Sequence, residues 1–243
     1  MATISHLRSW YRKFYVAISG SGAQVKPWHF QYASTFYLHR TLRRLLPYYG
    51  GDILDVGCGN KPYQDWFGHI RTYVGLDIYP GEKVDVVVQP TERWPFPDSS
   101  FDVVICTQVL EHVESLQHTL NEIMRVLRPG GVLIASFPFI YNEHGEPNDF
   151  RRFSAYGARQ LFSEWDIQLV ERQGGIGTTL ALLLLNWIDA QLSLSDKVRW
   201  LKGVLLPLWL PFCLLCNGVA LLVDRIDLTG KFYSNVLVVC LKK

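Results

Sequence analysis

Two aspartates and two glycines define the first candidate chemistry of this chain. Asp55, Gly57 and Gly59 lie in Asp52-Ile-Leu-Asp-Val-Gly-Cys-Gly-Asn60, where a β-prone apolar run ends in a G-x-G turn. Glycines there let the backbone turn tightly and approach a ligand without interference from a Cβ. Asp77 follows 18 residues after Gly59, close to the spacing at which a doubly wound fold sets a carboxylate on the ribose hydroxyls of a nucleotide ligand. A lone G-x-G also fits a βα turn that binds nothing, so the remainder of the chain has to decide. Position 62 is Pro where a dinucleotide fingerprint carries its third glycine, which counts against NAD. A second group of reactive types sits in the loop 138–154, with Tyr141, His144, Asp149, Arg151 and Arg152. There His144 is a candidate to take a proton, Asp149 to orient it, and Tyr141, Arg151 and Arg152 to meet an anionic acceptor; an ion-paired loop that only shapes a lid is the alternative. His112, after Glu111, is either a general base or a hydrogen-bonding member of a helix start.

These residues need strands and helices to hold them. Ile53, Leu54 and Val56 have the continuous apolar character of a strand covered on both faces. Further strands are predicted at Thr72–Ile78, Lys83–Val88, Phe101–Cys106, Val132–Phe137, Trp165–Val170 and Phe232–Leu241. Helices are predicted over about 32–46 and 115–127, with a short one from Lys61 to about Phe67. Strands alternating with helices predict an α/β fold with a parallel sheet. Loops beyond the carboxyl ends of such strands face the ligand crevice, which places His144 there.

The charge is segregated. Residues 1–51 carry seven Lys or Arg and no acid, so against an overall +2 the remainder stands at −5. A basic N-terminal region suits an anionic membrane surface or a phosphate-bearing substrate; without long basic runs or RNA-binding modules, nucleic acid is not expected as a partner. Five scattered cysteines argue for a reducing compartment, and Cys213-x-x-Cys216 reads as two packed thiols. No secretory signal is expected, because Arg8, Arg12 and Lys13 interrupt the first residues.

Taken in order, Leu54-Asp-Val-Gly-Cys-Gly59, Gly75-Leu-Asp-Ile78, Trp94-Pro-Phe-Pro-Asp-Ser-Ser-Phe-Asp102, Gln108-Val-Leu-Glu-His-Val113 and Leu127-Arg-Pro-Gly-Gly131 are similar to the successive motifs of class I S-adenosylmethionine-dependent methyltransferases, of the group that includes quinone-biosynthesis enzymes. The resemblance implies a Rossmann-like, doubly wound, mostly parallel seven-stranded sheet with an antiparallel edge strand. It implies S-adenosyl-L-methionine as cofactor, over Gly57 and Gly59, with Asp55 near its cationic groups, Asp77 on its ribose, Ile78 and Trp94 flanking the adenine and Gln108 in the fourth motif beside them. Pro90 replaces the acid that often meets the adenine amino group, so that contact passes to the backbone. Some quinone O-methyltransferases hold a divalent metal with an acid followed by Glu-His; with Gln108 in the first place, no metal is expected here.

The apolar excess, 49% of residues, has a location. Gln173–Ile188 is uncharged, and Gly203–Val223 is uncharged with thirteen large apolar residues, enough for roughly 30 Å of helix. Because the last strand must return to the sheet, a single span is excluded, and Pro207 and Pro211 are expected to break a straight helix. A re-entrant or in-plane membrane hairpin is favoured over a dimer interface or lid. The amphipathic stretch from Leu7 to Ile18 is read either as an interfacial helix or as one packed on the fold. The expected organisation is therefore basic, aromatic helices over 1–49 and a methyltransferase domain over 50–243, with an apolar insertion at about 175–230. The expected function is methylation of a lipophilic or lipid-linked acceptor by a protein peripheral or monotopic on the cytoplasmic face of a membrane. A soluble small-molecule methyltransferase, with a homodimer across the insertion, and a non-catalytic scaffold of the same fold are the rivals.

Overall fold

The computed structural model describes residues 13–194 and 201–243. Among them the chain forms two compact units, one of Gly174–Ser234 with the residues up to His39, the other of Arg40–Gln173 with Asn235–Lys243.

The second unit is built on a seven-stranded sheet. Its strands are β1 (Gly50–Val56), β2 (His69–Asp77), β3 (Val86–Val87), β4 (Phe101–Thr107), β5 (Leu127–Pro138), β6 (Asp166–Gln173) and β7 (Asn235–Leu241). Their spatial order is β3-β2-β1-β4-β5-β7-β6. β1 pairs in parallel with β2 and β4, and β4 with β5, while β7 runs antiparallel to both β5 and β6. The antiparallel strand thus lies one place in from the edge, which β6 occupies. Central strands are buried because both faces are covered: Ile53, Leu54, Val104, Ile105, Leu133 and Ile134 are all 0% exposed.

The alternation of strand and helix is thinner than expected. Helix α1 (Tyr32–Leu45) precedes the sheet, α2 (Leu116–Val126) joins β4 to β5, and α3 (Ala155–Leu161) joins β5 to β6. Between β1 and β2 the expected short helix is reduced to a 3₁₀ turn, Gln64–Trp66. The carboxyl half of α1 is tied to β6, where Glu171 accepts hydrogen bonds from Thr41 and Arg44. Ser154 starts α3 by accepting from the Gly157 amide at 3.0 Å.

In the first unit, residues 13–19 are helical; the rest of the amphipathic stretch expected from Leu7 lies outside the described residues. Two long apolar helices follow, α4 (Ile176–Gln191) and α5 (Leu206–Ile226). The helical run over residues 201–226 is interrupted at Leu205, two residues before Pro207, whereas Pro211 does not break α5. Pro207 sits in the first turn, where no N–H has an intrahelical partner, and Pro211 forfeits one bond just beyond it. Helices α4 and α5 meet through small residues: a Cβ on Gly177 would come within 2.3 Å of the Ala220 carbonyl, and Ala33, Ala181 and Ala220 form one buried cluster. Leu185, Leu206, Trp209 and Cys213 form another, on which Tyr15, Ile18 and Cys216 pack. The two thiols of the C-x-x-C are therefore packing groups. Asn217 is the polar clasp of this unit, donating to the carbonyls of Pro27 and His29 at 2.8 and 2.9 Å and accepting from the Ala33 amide at 3.3 Å.

Candidate active site

The candidate residues all fall in the sheet unit, at the carboxyl ends of β1, β2, β4 and β5, apart from Trp94 in the connection from β3 to β4. Gly57 and Gly59 turn the chain out of β1 with φ of +68° and +46°. Gly57 has no room for a side chain, because a Cβ would lie 2.3 Å from Val109 Cγ2; at Gly59 nothing beyond its chain neighbours lies within 4 Å of the place a Cβ would take, so that side of the backbone faces open space. Asp77 closes the turn. Its Oδ2 accepts the Gly59 amide at 3.1 Å and its Oδ1 the amides of Ile78 and Tyr79 at 2.8 and 3.2 Å. A carboxylate fixed by backbone donors still has acceptor positions for two vicinal hydroxyls.

Asp55 is only 3% exposed and accepts one side-chain hydrogen bond, from the Tyr73 hydroxyl at 2.7 Å. Burial raises it from 3.8 to about 7, against the opposing pull of Tyr73 and Lys61. A carboxylate kept at that cost beside a glycine turn suits a ligand that brings positive charge. Lys61 does not neutralise it, being engaged by Asp85.

The adenine side differs in detail from expectation. Ile78 is 42% exposed and available, whereas Trp94 is 5% exposed, its backbone held by Glu122 and Arg125 of α2, so it has little ring face to offer. Gln108 is drawn into a ladder of amides across the strand ends. Its Nε2 donates to Ser136 Oγ at 3.1 Å and Asn235 Oδ1 at 2.9 Å, and Asn235 Nδ2 donates to Gln173 Oε1 at 2.6 Å. That ladder, like the Tyr73 hydroxyl on Asp55, joins residues far apart in sequence and has no local motif.

In the loop after β5 the two arginines are occupied by the loop itself. Arg152 binds Asp149 through two nitrogens at 2.6 and 2.7 Å and reaches the carbonyls of Tyr141 and Asn142, while Arg151 donates to the carbonyls of Val113 and Glu114. They pin irregular backbone rather than present themselves to an anionic acceptor. Arg152 holds Asp149 well below the usual carboxylate range. Asp149 in turn accepts the His144 amide at 2.8 Å and lies 3.5 Å from His144 Nδ1. Burial lowers His144 from the ordinary imidazole value, and His112 adds to the effect. The Tyr141 ring lies 4.7 Å from that of His144. His144 and His112 point their Nε2 atoms at each other, 3.2 Å apart, beside the buried Glu111.

A twisted, mainly parallel sheet with a glycine turn after β1 and a fixed carboxylate after β2 defines a nucleotide-binding α/β unit of Rossmann type. Residues 54–135 match the family described as "Methyltransferase domain". Residues 54–135, which carry the glycine turn, Asp77 and Gln108, are thus a methyltransferase domain of the class I S-adenosylmethionine-dependent kind. A probable S-adenosylmethionine-dependent methyltransferase of Mycolicibacterium smegmatis is 37% identical over 101 residues, which are 37% of this chain and 38% of that protein. A sterol 24-C-methyltransferase of Yarrowia lipolytica is 33% identical over 116 residues, 47% of this chain and 29% of its own length. The likeness thus spans well under half of these relatives. Among solved structures, the [4+2]-cyclase SpnF shares the fold with a TM-score of 0.53 at 17% identity, covering 84% of this chain and 79% of its own.

S-adenosylmethionine, the cofactor of this domain class, supplies a methyl group on a cationic sulfonium. The residues fit it: open space over Gly59, a carboxylate fixed by backbone amides in Asp77, and in Asp55 a buried carboxyl group that an arriving cation would ionise. With the cofactor bound, their contribution would be to bind, orient and exclude water, which is most of what displacement at a sulfonium requires.

Proposed function

We propose that the chain is a methyltransferase that docks on the cytoplasmic face of a membrane and methylates a lipophilic or lipid-linked acceptor. The donor half of this reading rests on Gly57, Gly59 and Asp77 within the matched segment. The acceptor half rests on one observation, the exposed apolar stripe of α5. Leu208, Phe212, Leu215, Val219, Leu222 and Ile226 recur every three or four residues and are 38–77% exposed on a 21-residue helix of mean hydropathy 2.0. Leu180, Leu183, Leu184 and Trp187 repeat the pattern on α4 with exposures of 38–60%. Water tolerates only roughly 400 Å² of contiguous apolar surface, so a stripe of this length needs a cover. A lipid surface supplies one, and the same surface presents lipophilic acceptors. One relative is named for methylation of a sterol, and the five free cysteines suit a reducing compartment.

Flotation with anionic vesicles tests the acceptor half. The protein is expected to rise with the vesicles, and a Leu215→Glu, Leu222→Glu double variant to stay below. Withdrawing two leucines from lipid costs about 3–6 kcal/mol, a loss of roughly a hundredfold or more in partition. Wild-type protein that stays at the bottom as a stable dimer would replace the membrane by a second copy of the chain. Calorimetry with S-adenosylmethionine tests the donor half: Asp77→Ala is expected to weaken binding at least about tenfold, the worth of one charge-assisted hydrogen bond, and equal binding by both proteins would overturn the assignment.

A further inference from the structure

The sheet unit contains a second constellation that the binding of a methyl donor does not use. Glu111, just beyond β4, is 0% exposed, yet neither of its carboxylate oxygens has a hydrogen-bond partner. A buried carboxylate in that condition is among the costliest arrangements a fold can retain. Two imidazoles converge on it from different segments. His112 Nε2 lies 3.8 Å from Glu111 Oε1, and His144 Nε2, from the loop after β5, lies 3.2 Å from His112 Nε2.

The outer nitrogens of both rings are anchored. His112 Nδ1 stands 2.6 Å from the Asn148 carbonyl and His144 Nδ1 3.2 Å from that of Asn142. A carbonyl only accepts, so each Nδ1 is the protonated, donating nitrogen, and each neutral ring turns the lone pair of Nε2 toward the other. Two imidazole lone pairs and an unpartnered carboxyl group directed at one point form a set of donors that a cation can satisfy. This is how proteins prepare histidines for a cation, with the far nitrogen bound to a carbonyl to fix tautomer and aim. The spacing agrees, since tetrahedral ligands at metal–nitrogen distances of about 2.0–2.1 Å stand about 3.3 Å apart. The three ligand atoms lie within 4.8 Å of one another.

We infer that Glu111, His112 and His144 form a binding site for a borderline divalent cation of the zinc class. Two imidazoles and one carboxylate are the donor set that such ions accept, and three protein ligands leave a position open to water or to an oxygen of a bound molecule. Both histidine side chains remain about a quarter to a third exposed, at 26% and 31%, so the open position can reach solvent. Gln108 has no part in the site because its amide nitrogen is bound to Ser136 and Asn235. Asp149 stands behind it, bound to Arg152 and to the His144 amide, and fixes the loop that delivers the third ligand.

Cobalt(II) titration of the chelator-treated full chain, followed by visible absorption, tests the site without any methyl donor, so its outcome is independent of the transfer reaction. One equivalent of cobalt is expected to develop ligand-field bands that zinc displaces. His144→Ala and Glu111→Gln are each expected to weaken cobalt binding by at least about a hundredfold, since even outer partners of metal ligands are worth 10–100-fold. His118→Ala, whose ring binds the Glu92 carbonyl at 3.0 Å, is expected to titrate like the wild type. Circular dichroism checks that each variant is folded, and because His144 lies in a loop its variant remains informative if Glu111→Gln unfolds. A wild-type protein that develops no bands at one equivalent would mean that a proton occupies the space between the rings. Bands that survive both ligand substitutions would place the cobalt elsewhere. Either result overturns the site.

Discussion

Replacing Asp55 by Asn separates the role of its charge from that of its shape. In the free protein burial raises this carboxyl from 3.8 to about 7. Over the interval between those values the folded chain holds a proton that the unfolded chain has released. The stability contributed by the neutral group is therefore complete below about pH 4 and is lost as pH rises through about 7. A separation of roughly three pH units corresponds to about 4 kcal/mol. The groups that face Asp55 are Tyr73 and Asp77 on β2, Cys58, Lys61 and Tyr63 in the turn after β1, and Cys106 on β4. All are common to both proteins, and Asn retains an oxygen for the Tyr73 hydroxyl. In urea unfolding between about pH 4.5 and about pH 8.5, Asp55→Asn is expected to gain on the wild type as pH rises, the gap widening by up to about 4 kcal/mol. Cofactor binding should show the converse. At about pH 6 the wild type is expected to release a proton when the cationic cofactor arrives, seen as a heat that changes with the buffer, and at about pH 8.5 to release almost none. The variant releases none at either pH and binds more weakly. A stability gap that is flat with pH, together with buffer-independent heats at about pH 6, would refute the reading of Asp55 as a buried anion reserved for a cation.

Other consequences are open to direct measurement. Gly57→Ala adds a Cβ at positive φ, 2.3 Å from Val109 Cγ2; the strain, about 1–3 kcal/mol, is expected to appear as weaker cofactor binding in a protein whose circular dichroism is unchanged. Asn217→Ala leaves the Ala33 amide and the carbonyls of Pro27 and His29 without their partner. A loss of about 1–3 kcal/mol is expected, read as faster limited proteolysis between residues 20 and 33.

Much of the sheet was legible because burial on both faces leaves a plain signature: the runs at Ile53–Val56 and Phe101–Cys106 are apolar throughout and became β1 and β4. The expected strand Lys83–Val88 shrank to Val86–Val87, for an edge strand has one neighbour and little burial to hold its ends. Pro211 lies inside α5 and the helix continues past it, because the packing of its neighbours Trp209 and Cys213 in the apolar cluster holds the turn that lacks one hydrogen bond. In the site, Asp77 could be found from its distance to Gly59, since a strand, a turn and a strand fix that spacing. The meeting of His144 with His112 could not, because α2, β5 and a final stretch of irregular backbone separate two residues 32 apart in sequence. For the same reason Arg151 and Arg152 looked like anion receptors: nothing local showed that the carbonyls of that loop would claim them.

The apolar helices leave and re-enter the sheet at one point. Gln173 and Asn235 are partners in the β6–β7 ladder, and Gly174 comes so close to Ser234 that a Cβ would lie 3.1 Å from its hydroxyl. A tight turn could join the same two residues without altering any register of the sheet. The segment that carries α4 and α5 is thus an insertion between two paired strand ends, a place where chain can be lengthened or shortened without shifting the pairing of β6 with β7 or the glycine turn after β1.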